Sequence, residues 1–198
     1  MKRISGVLLI CCLLFSFFSL SSQLCSQELK SKKVLFIIAS SNFRDEELLK
    51  PLAILKKEGI KTMVASSSLR KSRGMLGTEI TPDILLQQVN VDDYNAIVFV
   101  GGTGAKEYWE NPVAHRIAKE AYNKGKLLGA ICIAPVILAK AKLLKNKKVT
   151  GWPSTAPLLK KSGAIYSGKD VQIDSRIITA KGPQASKDFG ETILSVLK

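Results

Sequence analysis

The sequence predicts an α/β fold, a three-layer αβα sandwich around a mostly parallel sheet. Two observations carry this prediction. Apolar runs alternate with amphipathic helical stretches from residue 33 to residue 198, which is the pattern of successive βαβ units. The first run, Val34–Ala39, contains no charged or hydroxyl residue, as expected of a strand that helices cover on both faces.

The individual elements follow from the same pattern. Leu48, Leu52 and Leu55 fall on one face of a helix that Gly59 ends, and Pro112 suits the first turn of another helix. Strands are predicted at 34–39, 61–66, 96–100, 127–131, 148–151, 163–166, 171–173 and 177–180, and helices at 45–57, 112–124, 134–144 and 186–197. A polar loop is predicted at 67–77 and a short helix or turn at 83–89.

The first 26 residues have the layout of a secretory signal peptide. A positive start is followed by the apolar run Ile4–Leu20 and then by small and polar residues. We expect export with cleavage between Ser22 and Ser26, followed by a linker at 27–32 and a domain at 33–198. The alternative is a retained N-terminal membrane anchor, because the run is just short of a full span.

Composition narrows the classes of function. Without residues 1–26 the chain keeps 28 basic and 16 acidic residues, a net charge of +12. The lysines are dispersed and no arginine stripe with interleaved aromatic residues occurs, so we expect solvated faces and no nucleic-acid partner. Only Cys132 lies outside the N-terminal segment, which excludes a disulfide framework. The single histidine, His115, excludes schemes that need two imidazoles.

The stretch Leu128–Pro135 carries the strongest chemical signal, because it predicts a strand, then Cys132, then a helix. A sharp turn of this kind exposes one side chain above the sheet edge, as in a nucleophile elbow. The N-terminus of the following helix favours a thiolate. The strand before Gly101–Gly102 ends at the same edge, where the Gly102 N–H can hold an oxyanion. The alternative, a buried structural cysteine, is the usual fate of a free thiol, but it does not explain this context.

Four stretches of the chain resemble the ThiJ/PfpI (DJ-one) superfamily. They occur in the family's order and span the whole domain from about Lys33 to Lys198: Phe43-Arg-Asp-Glu-Glu-Leu-Leu-Lys-Pro51, Val100-Gly-Gly-Thr103, Gly129-Ala-Ile-Cys-Ile-Ala-Pro135 and Thr179-Ala-Lys-Gly-Pro183. The resemblance implies a flavodoxin-like fold, related to the glutaminase domain of class I glutamine amidotransferases. It also implies a homodimer.

The resemblance assigns roles to particular residues. The family cysteine corresponds to Cys132. The family glutamate, four residues before the helix proline, corresponds to Glu47, and its carboxyl is expected to be protonated and hydrogen-bonded to the sulfur. Backbone N–H groups of Gly102 and Ile133 are the expected oxyanion donors. The pocket is expected to include Gly101, Trp152 and Pro183. The neighbouring acids Asp45 and Glu46 are expected to be exposed in the first helical turn.

Two departures from the family matter for the chemistry. Protease-like and glutaminase-like members have histidine directly after the cysteine, where this chain has Ile133. Another branch has a site histidine where this chain has Trp152. His115 lies in the predicted helix 112–124, away from Cys132, as a helix-surface residue. No Cys–His pair is therefore available within one chain, which disfavours a peptidase.

Three hypotheses for function follow. The first is a cysteine-dependent lyase or hydrolase acting on small reactive carbonyls, like the glyoxalase III or deglycase activities of the family. The second is a redox-sensing or chaperone-like stress protein that uses oxidation of Cys132. The third is a binding module attracted to anionic surfaces. We expect no cofactor and no metal, because Cys132, Glu47 and His115 do not have a ligand spacing and no phosphate loop is present.

Overall fold

A computed structural model describes residues 29–198 of the chain. The predicted signal peptide or membrane anchor at 1–26 lies outside the described residues, as does the first part of the predicted linker at 27–32. Leu29, inside that linker, is buried against the apolar core. No helix within 29–198 combines the length and the hydropathy that spanning a membrane requires.

The described chain alternates strands and helices as the sequence predicts. The elements are β1 (Lys33–Ile37), β2 (Ser41–Phe43), α1 (Asp45–Lys57), β3 (Lys61–Ser66), β4 (Ser72–Gly74), β5 (Glu79–Ile80), β6 (Ile84–Leu85), β7 (Ala96–Phe99), α2 (Pro112–Asn123), β8 (Leu127–Ile131), α3 (Pro135–Lys140), β9 (Lys148–Val149), α4 (Ala156–Lys161), β10 (Ile165–Tyr166), β11 (Val171–Asp174), β12 (Ile177–Ala180) and α5 (Ser186–Leu197).

The main sheet has seven strands in the order β11-β12-β8-β7-β1-β3-β6. All neighbouring pairs are parallel except β11 and β12, which form an antiparallel hairpin at one edge. Because β1, β7, β8 and β12 run in one direction, their C-terminal ends meet at the same edge of the sheet. Ligands of open α/β sheets bind at this edge.

Two apolar layers cover the sheet, and the alternation of side chains along β1 shows both. Leu35 and Ile37 face the layer that contains α2, α3 and α4, whereas Val34 and Phe36 face the layer of α1 and α5. All four side chains are fully buried, and burial of one such side chain stabilises the fold by roughly 1.5–3 kcal/mol. The predicted three-layer αβα sandwich with a mostly parallel sheet is therefore confirmed.

The structure differs in detail from several of the predicted elements. The helix predicted at 134–144 is the shorter α3, because Lys142 takes a left-handed conformation with φ +64° and ends it. The segment 83–89 holds the short edge strand β6 followed by a 3₁₀ turn at Leu86–Gln88. The helix α4 was not predicted, and the loop 67–77 contains β4, which pairs with β2 and β5.

Candidate active site

Cys132 occupies a strained turn between β8 and α3. Its φ is +64°, a conformation that costs a non-glycine residue roughly 1–3 kcal/mol unless neighbouring structure imposes it. The neighbours do impose it. The Cys132 N–H donates to the carbonyl of Ala180 on β12 at 2.9 Å, and the Cys132 carbonyl accepts from the Trp152 N–H at 2.7 Å. The sharp strand-to-helix turn predicted from the sequence is thus held from both sides.

The sulfur of Cys132 receives two backbone N–H groups. They come from Gly102, after β7, and from Ile133, the next residue in the turn, and both lower the pKa of the thiol. These are the two residues predicted as oxyanion donors. Only 7% of the Cys132 surface is exposed. The thiol therefore lies at the sheet edge in a dry position with two preorganised hydrogen-bond donors.

Glu47 lies in the first turn of α1 and is fully buried. Its Oε2 accepts the N–H of Gly101 at 3.0 Å, and its carboxyl forms a hydrogen bond with the thiol of Cys132. The second oxygen, Oε1, is buried without a hydrogen-bond partner among the described residues. A buried carboxyl with one unpaired oxygen is costly, so its retention beside a thiol points to chemistry at this position.

The ionisation of Glu47 and that of Cys132 are coupled. Burial raises the pKa of Glu47 to about 8, although the thiol, the Gly101 N–H and the charge of Arg44 oppose this shift. Burial and the charge of Glu47 raise the pKa of Cys132 to about 12, against the two N–H donors. The repulsion exists only while Glu47 is ionised. When the pair loses its first proton, the sulfur of Cys132 and the carboxyl of Glu47 therefore share the one that remains.

Gly101 lies between Cys132 and Glu47, and its lack of a side chain lets these two groups approach each other. A Cβ atom at this position would lie 2.5 Å from the Cys132 Cβ, 2.5 Å from the Glu47 Oε2 and 2.7 Å from the Ile131 carbonyl oxygen. No side chain fits into this space without moving the nucleophile or the carboxyl. Gly101, predicted as a pocket residue, is a requirement for the close approach of Cys132 and Glu47.

Trp152 and Pro183, the other two predicted pocket residues, lie beside the turn of Cys132. The backbone N–H of Trp152 donates to the Cys132 carbonyl, and 40% of the Trp152 surface is exposed. The indole ring lies against Gly182, the residue before Pro183, and Pro183 is buried in a 3₁₀ turn. The exposed indole therefore packs against the loop that follows β12.

His115 does not contact the sulfur. It is half-buried on α2, and its Nε2 lies 2.8 Å from the carbonyl oxygen of Trp109. The indole N–H of Trp109 donates to the Ile133 carbonyl at 3.3 Å. The sequence prediction that His115 is not a partner of Cys132 agrees with this geometry. Sequence reasoning missed Trp109, which connects α2 to the elbow, because nothing in its neighbourhood marks it.

The prediction that Asp45 is exposed is wrong. Asp45 is 2% exposed and accepts the N–H groups of Leu76 at 2.8 Å and Thr78 at 2.9 Å. Burial alone would raise the pKa of Asp45, but the hydrogen bonds from Thr78 and Leu76 lower it below its usual value. Glu46 is partly exposed and forms a two-pronged ion pair with Arg44. Of the three consecutive acids, one anchors a loop, one pairs at the surface and Glu47 enters the site.

The model of the DJ-1/PfpI family matches residues 32–196, which is most of the chain. The chain belongs to the DJ-1/PfpI family. The match confirms the family assignment predicted from the four sequence motifs.

No three His, Cys, Asp or Glu side chains within 29–198 come together as a metal site would require.

Relatives of this chain include an uncharacterised protein and two proteins of named activity. An uncharacterised protein of Methanocaldococcus jannaschii is 42% identical over all of this chain and 98% of its own length. A deglycase of Thermococcus kodakarensis is 32% identical over 74% of this chain and 89% of its own. A glutathione-independent glyoxalase of Caenorhabditis elegans is 28% identical, covering 84% and 89%.

A solved relative shows the extent of the fold. The crystal structure of a ThiJ/PfpI domain protein from Brachyspira murdochii matches with a TM-score of 0.82 and 31% identity, over 83% of this chain and 95% of that chain. This fold therefore forms in a chain that has little beyond the matched domain. Residues 27–198 are a suitable unit for experiments.

Proposed function

We propose that this protein is a cysteine-dependent enzyme acting on small reactive carbonyl compounds, in the manner of a glutathione-independent glyoxalase or a deglycase. One observation carries the proposal: Cys132 sits on a strained elbow with two N–H donors at its sulfur and the buried acid Glu47 beside it. A thiol nucleophile, a proton donor and an oxyanion site are the groups that addition to an aldehyde needs.

The first step forms a carbon–sulfur bond. The reactive form is the pair with one negative charge, in which the thiol has released its proton to solvent and Glu47 keeps its own. The thiolate of Cys132 attacks the aldehyde carbon of methylglyoxal, and the carbonyl electron pair moves to oxygen. The N–H groups of Gly102 and Ile133, which bind the sulfur in the free protein, are placed to stabilise that oxygen. Glu47, whose pKa is raised to about 8, still holds its proton at neutral pH and delivers it to give the hemithioacetal.

The second step returns a proton to Glu47. Its carboxylate removes the hydrogen from the former aldehyde carbon, and the resulting enediol takes the proton back at the neighbouring carbon. The product is a thioester of Cys132, which water hydrolyses to lactate and the free thiol. Because no histidine contacts the sulfur, the carboxyl of Glu47 is the acid–base group for every transfer.

The named relatives support this proposal. One is called a deglycase and one a glutathione-independent glyoxalase, and each covers about three quarters or more of this chain. Both activities act on carbonyl compounds or their adducts. The absence of histidine at Ile133 and Trp152 favours a carbonyl-converting enzyme over a peptidase.

A second candidate function is redox sensing through oxidation of Cys132. The unpaired Oε1 of Glu47 favours it, because a sulfinate formed at Cys132 would bring an oxygen to accept a hydrogen bond from the protonated carboxyl. Peroxide is the oxidant, and each step adds one oxygen to sulfur and releases water. The export predicted from residues 1–26 would place this thiol in an oxidising compartment.

The experiment that tests the enzyme proposal is a methylglyoxal assay without glutathione on reduced residues 27–198, with lactate quantified. Cys132→Ala and Glu47→Gln should each abolish lactate formation, whereas Glu46→Gln, which changes the neighbouring surface acid, should retain it. A folded and reduced wild-type sample with no activity above that of Cys132→Ala would refute the enzyme and leave the redox function. Mass spectrometry of Cys132 after mild peroxide treatment then decides that second candidate.

A homodimer is part of the proposal. Leu49, Met75 and Leu76 are 40%, 41% and 61% exposed, and Asp45 holds the loop of Leu76 one helical turn from Leu49. We infer that these three side chains belong to one apolar face, suited to pairing with a second copy. Sedimentation of the wild type should show a dimer that Leu76→Glu converts to a monomer. A wild-type monomer at high concentration would refute the pairing.

A further inference from the structure

A groove beside α3, the helix that follows Cys132, combines an apolar floor with a cationic rim. It lies between α3 and α4 and has a volume of about 310 Å³. Val136, Ala139 and Leu158 supply the apolar lining, and Lys140, Lys142 and Lys161 supply the charges. Cys132 is not among the residues that line the groove.

The groove lies in a part of the chain that has no acids. Between Glu120 and Asp170 the sequence contains ten lysines and no aspartate or glutamate, which accounts for most of the net charge of the mature chain. Lys140 is paired with Glu110. Lys142 and Lys161 form no ion pair with any residue in 29–198, so their charges are available to a ligand.

Lys142 occupies a backbone position that favours glycine. Three helices, α1, α2 and α4, are followed by a glycine with positive φ: Gly59, Gly125 and Gly163. At the end of α3 the corresponding residue is Lys142, with φ +64°. The hydrogen bonds of a Schellman motif are present, from the Lys142 N–H to Ala139 and from the Leu143 N–H to Leu138. Glycine would satisfy the same backbone geometry without strain, so the turn itself does not require the side chain of Lys142.

We propose that this groove binds the headgroup and upper acyl region of an anionic phospholipid at a membrane surface. The phosphate would lie between Lys142 and Lys161, while the apolar part of the lipid would contact Val136, Ala139 and Leu158. Charge complementarity carries the choice of ligand, since lysines in excess of neighbouring acids attract anionic bilayers, and Glu110 pairs with one of the three groove lysines. Leu158 and Ile165, 38% and 54% exposed, add apolar surface in the same acid-free stretch.

The apolar floor distinguishes a lipid from a nucleic acid. A nucleic-acid site would pair its cations with aromatic side chains or base-reading polar groups. No aromatic side chain lines the groove, and its one hydroxyl, that of Ser162, donates to the Leu159 carbonyl at 2.7 Å. An anionic lipid uses both the charges and the floor. The domain would then rest on a membrane with α3 and α4 toward the lipid.

The test is sedimentation of residues 27–198 with vesicles of one part phosphatidylglycerol to two parts phosphatidylcholine, beside vesicles of phosphatidylcholine alone. The variant Lys142→Gly/Lys161→Gln should weaken binding to the anionic vesicles roughly 25-fold, about fivefold for each lysine. The control Lys56→Gln/Lys57→Gln removes the same charge from the exposed last turn of α1 and should change binding little. Lys142→Gly should also melt no lower than wild type, because glycine suits its conformation.

A third variant tests the floor of the groove. Leu158→Gln should weaken binding severalfold while leaving the dependence on salt concentration unchanged, because it removes apolar contact and no charge. Equal losses of vesicle binding in Lys142→Gly/Lys161→Gln and in Lys56→Gln/Lys57→Gln would mean that net charge alone attracts the protein, and would overturn the proposed site. Wild-type binding by Leu158→Gln, or equal binding to both kinds of vesicle, would overturn it as well.

Discussion

Gly101→Ala tests whether the close approach of Cys132 and Glu47 is what makes the site reactive. The added Cβ would lie 2.5 Å from the Cys132 Cβ and 2.5 Å from the Glu47 Oε2. Ordinary contacts of this kind are about 3.5–4 Å, so one of the two groups must move by about 1 Å. A displacement of that size in a catalytic group costs about 100-fold in rate, and overpacking costs roughly 1–3 kcal/mol of stability.

The assay compares kcat/KM for methylglyoxal with the free energy of unfolding by urea. Gly129→Ala is the matched control, because it places a Cβ on β8, in the same core, against the side chains of Phe189 and Val98 at 3.1 to 3.4 Å. That variant should lose stability and keep its activity. Wild-type kcat/KM in Gly101→Ala, or equal losses of activity in the two variants, would refute the role of the close approach.

Three further outcomes follow from the carboxyls and the thiol. Glu47 binds its proton more tightly in the folded than in the unfolded chain. The free energy of unfolding of the wild type should therefore fall as pH rises from about 4.5 to about 8. In urea unfolding, Glu47→Gln should remove this loss, which is roughly 3 kcal/mol at pH 7. Alkylation of Cys132 should rise with pH in two steps in wild type but in one step in Glu47→Gln, and identical profiles would contradict the coupling. Asp45→Asn should cost about 1–3 kcal/mol by thermal melting, whereas Glu46→Gln should change stability by less than about 0.5 kcal/mol; equal effects would contradict the buried anchor.

The sequence predicted most of the site because its parts fall in short local patterns. A buried strand followed by Cys132 and a helix specifies an elbow, and Gly101–Gly102 after another parallel strand must reach the same sheet edge. The resemblance to a family added Glu47, which composition and helical periodicity alone would have left among three equivalent acids. The burial of Glu47 depends on which side of α1 faces the sheet edge. The pattern of leucines in α1 does not decide which side this is.

The errors have physical causes that local patterns do not show. Asp45 is buried because the loop 74–78 folds back and donates two N–H groups, a contact between segments about 30 residues apart. The helix after Cys132 ends early because Lys142 takes a conformation usually reserved for glycine. The helix α4 has a proline in its first turn and could have been found from that signal. The short strand β6 is set by pairing with β3 rather than by its own residues.

The protonation state of Glu47 tests the central claim most directly, because every step proposed for the enzyme depends on a carboxyl that holds its proton beside the thiol. The measurement is a carbon NMR titration of the Glu47 carboxyl in wild type and in Cys132→Ala. We expect a midpoint near pH 8 in the wild type. It should rise in Cys132→Ala, because the hydrogen bond that lowers the pKa of Glu47 is removed. A wild-type midpoint near the ordinary value of 4.5 would contradict the account.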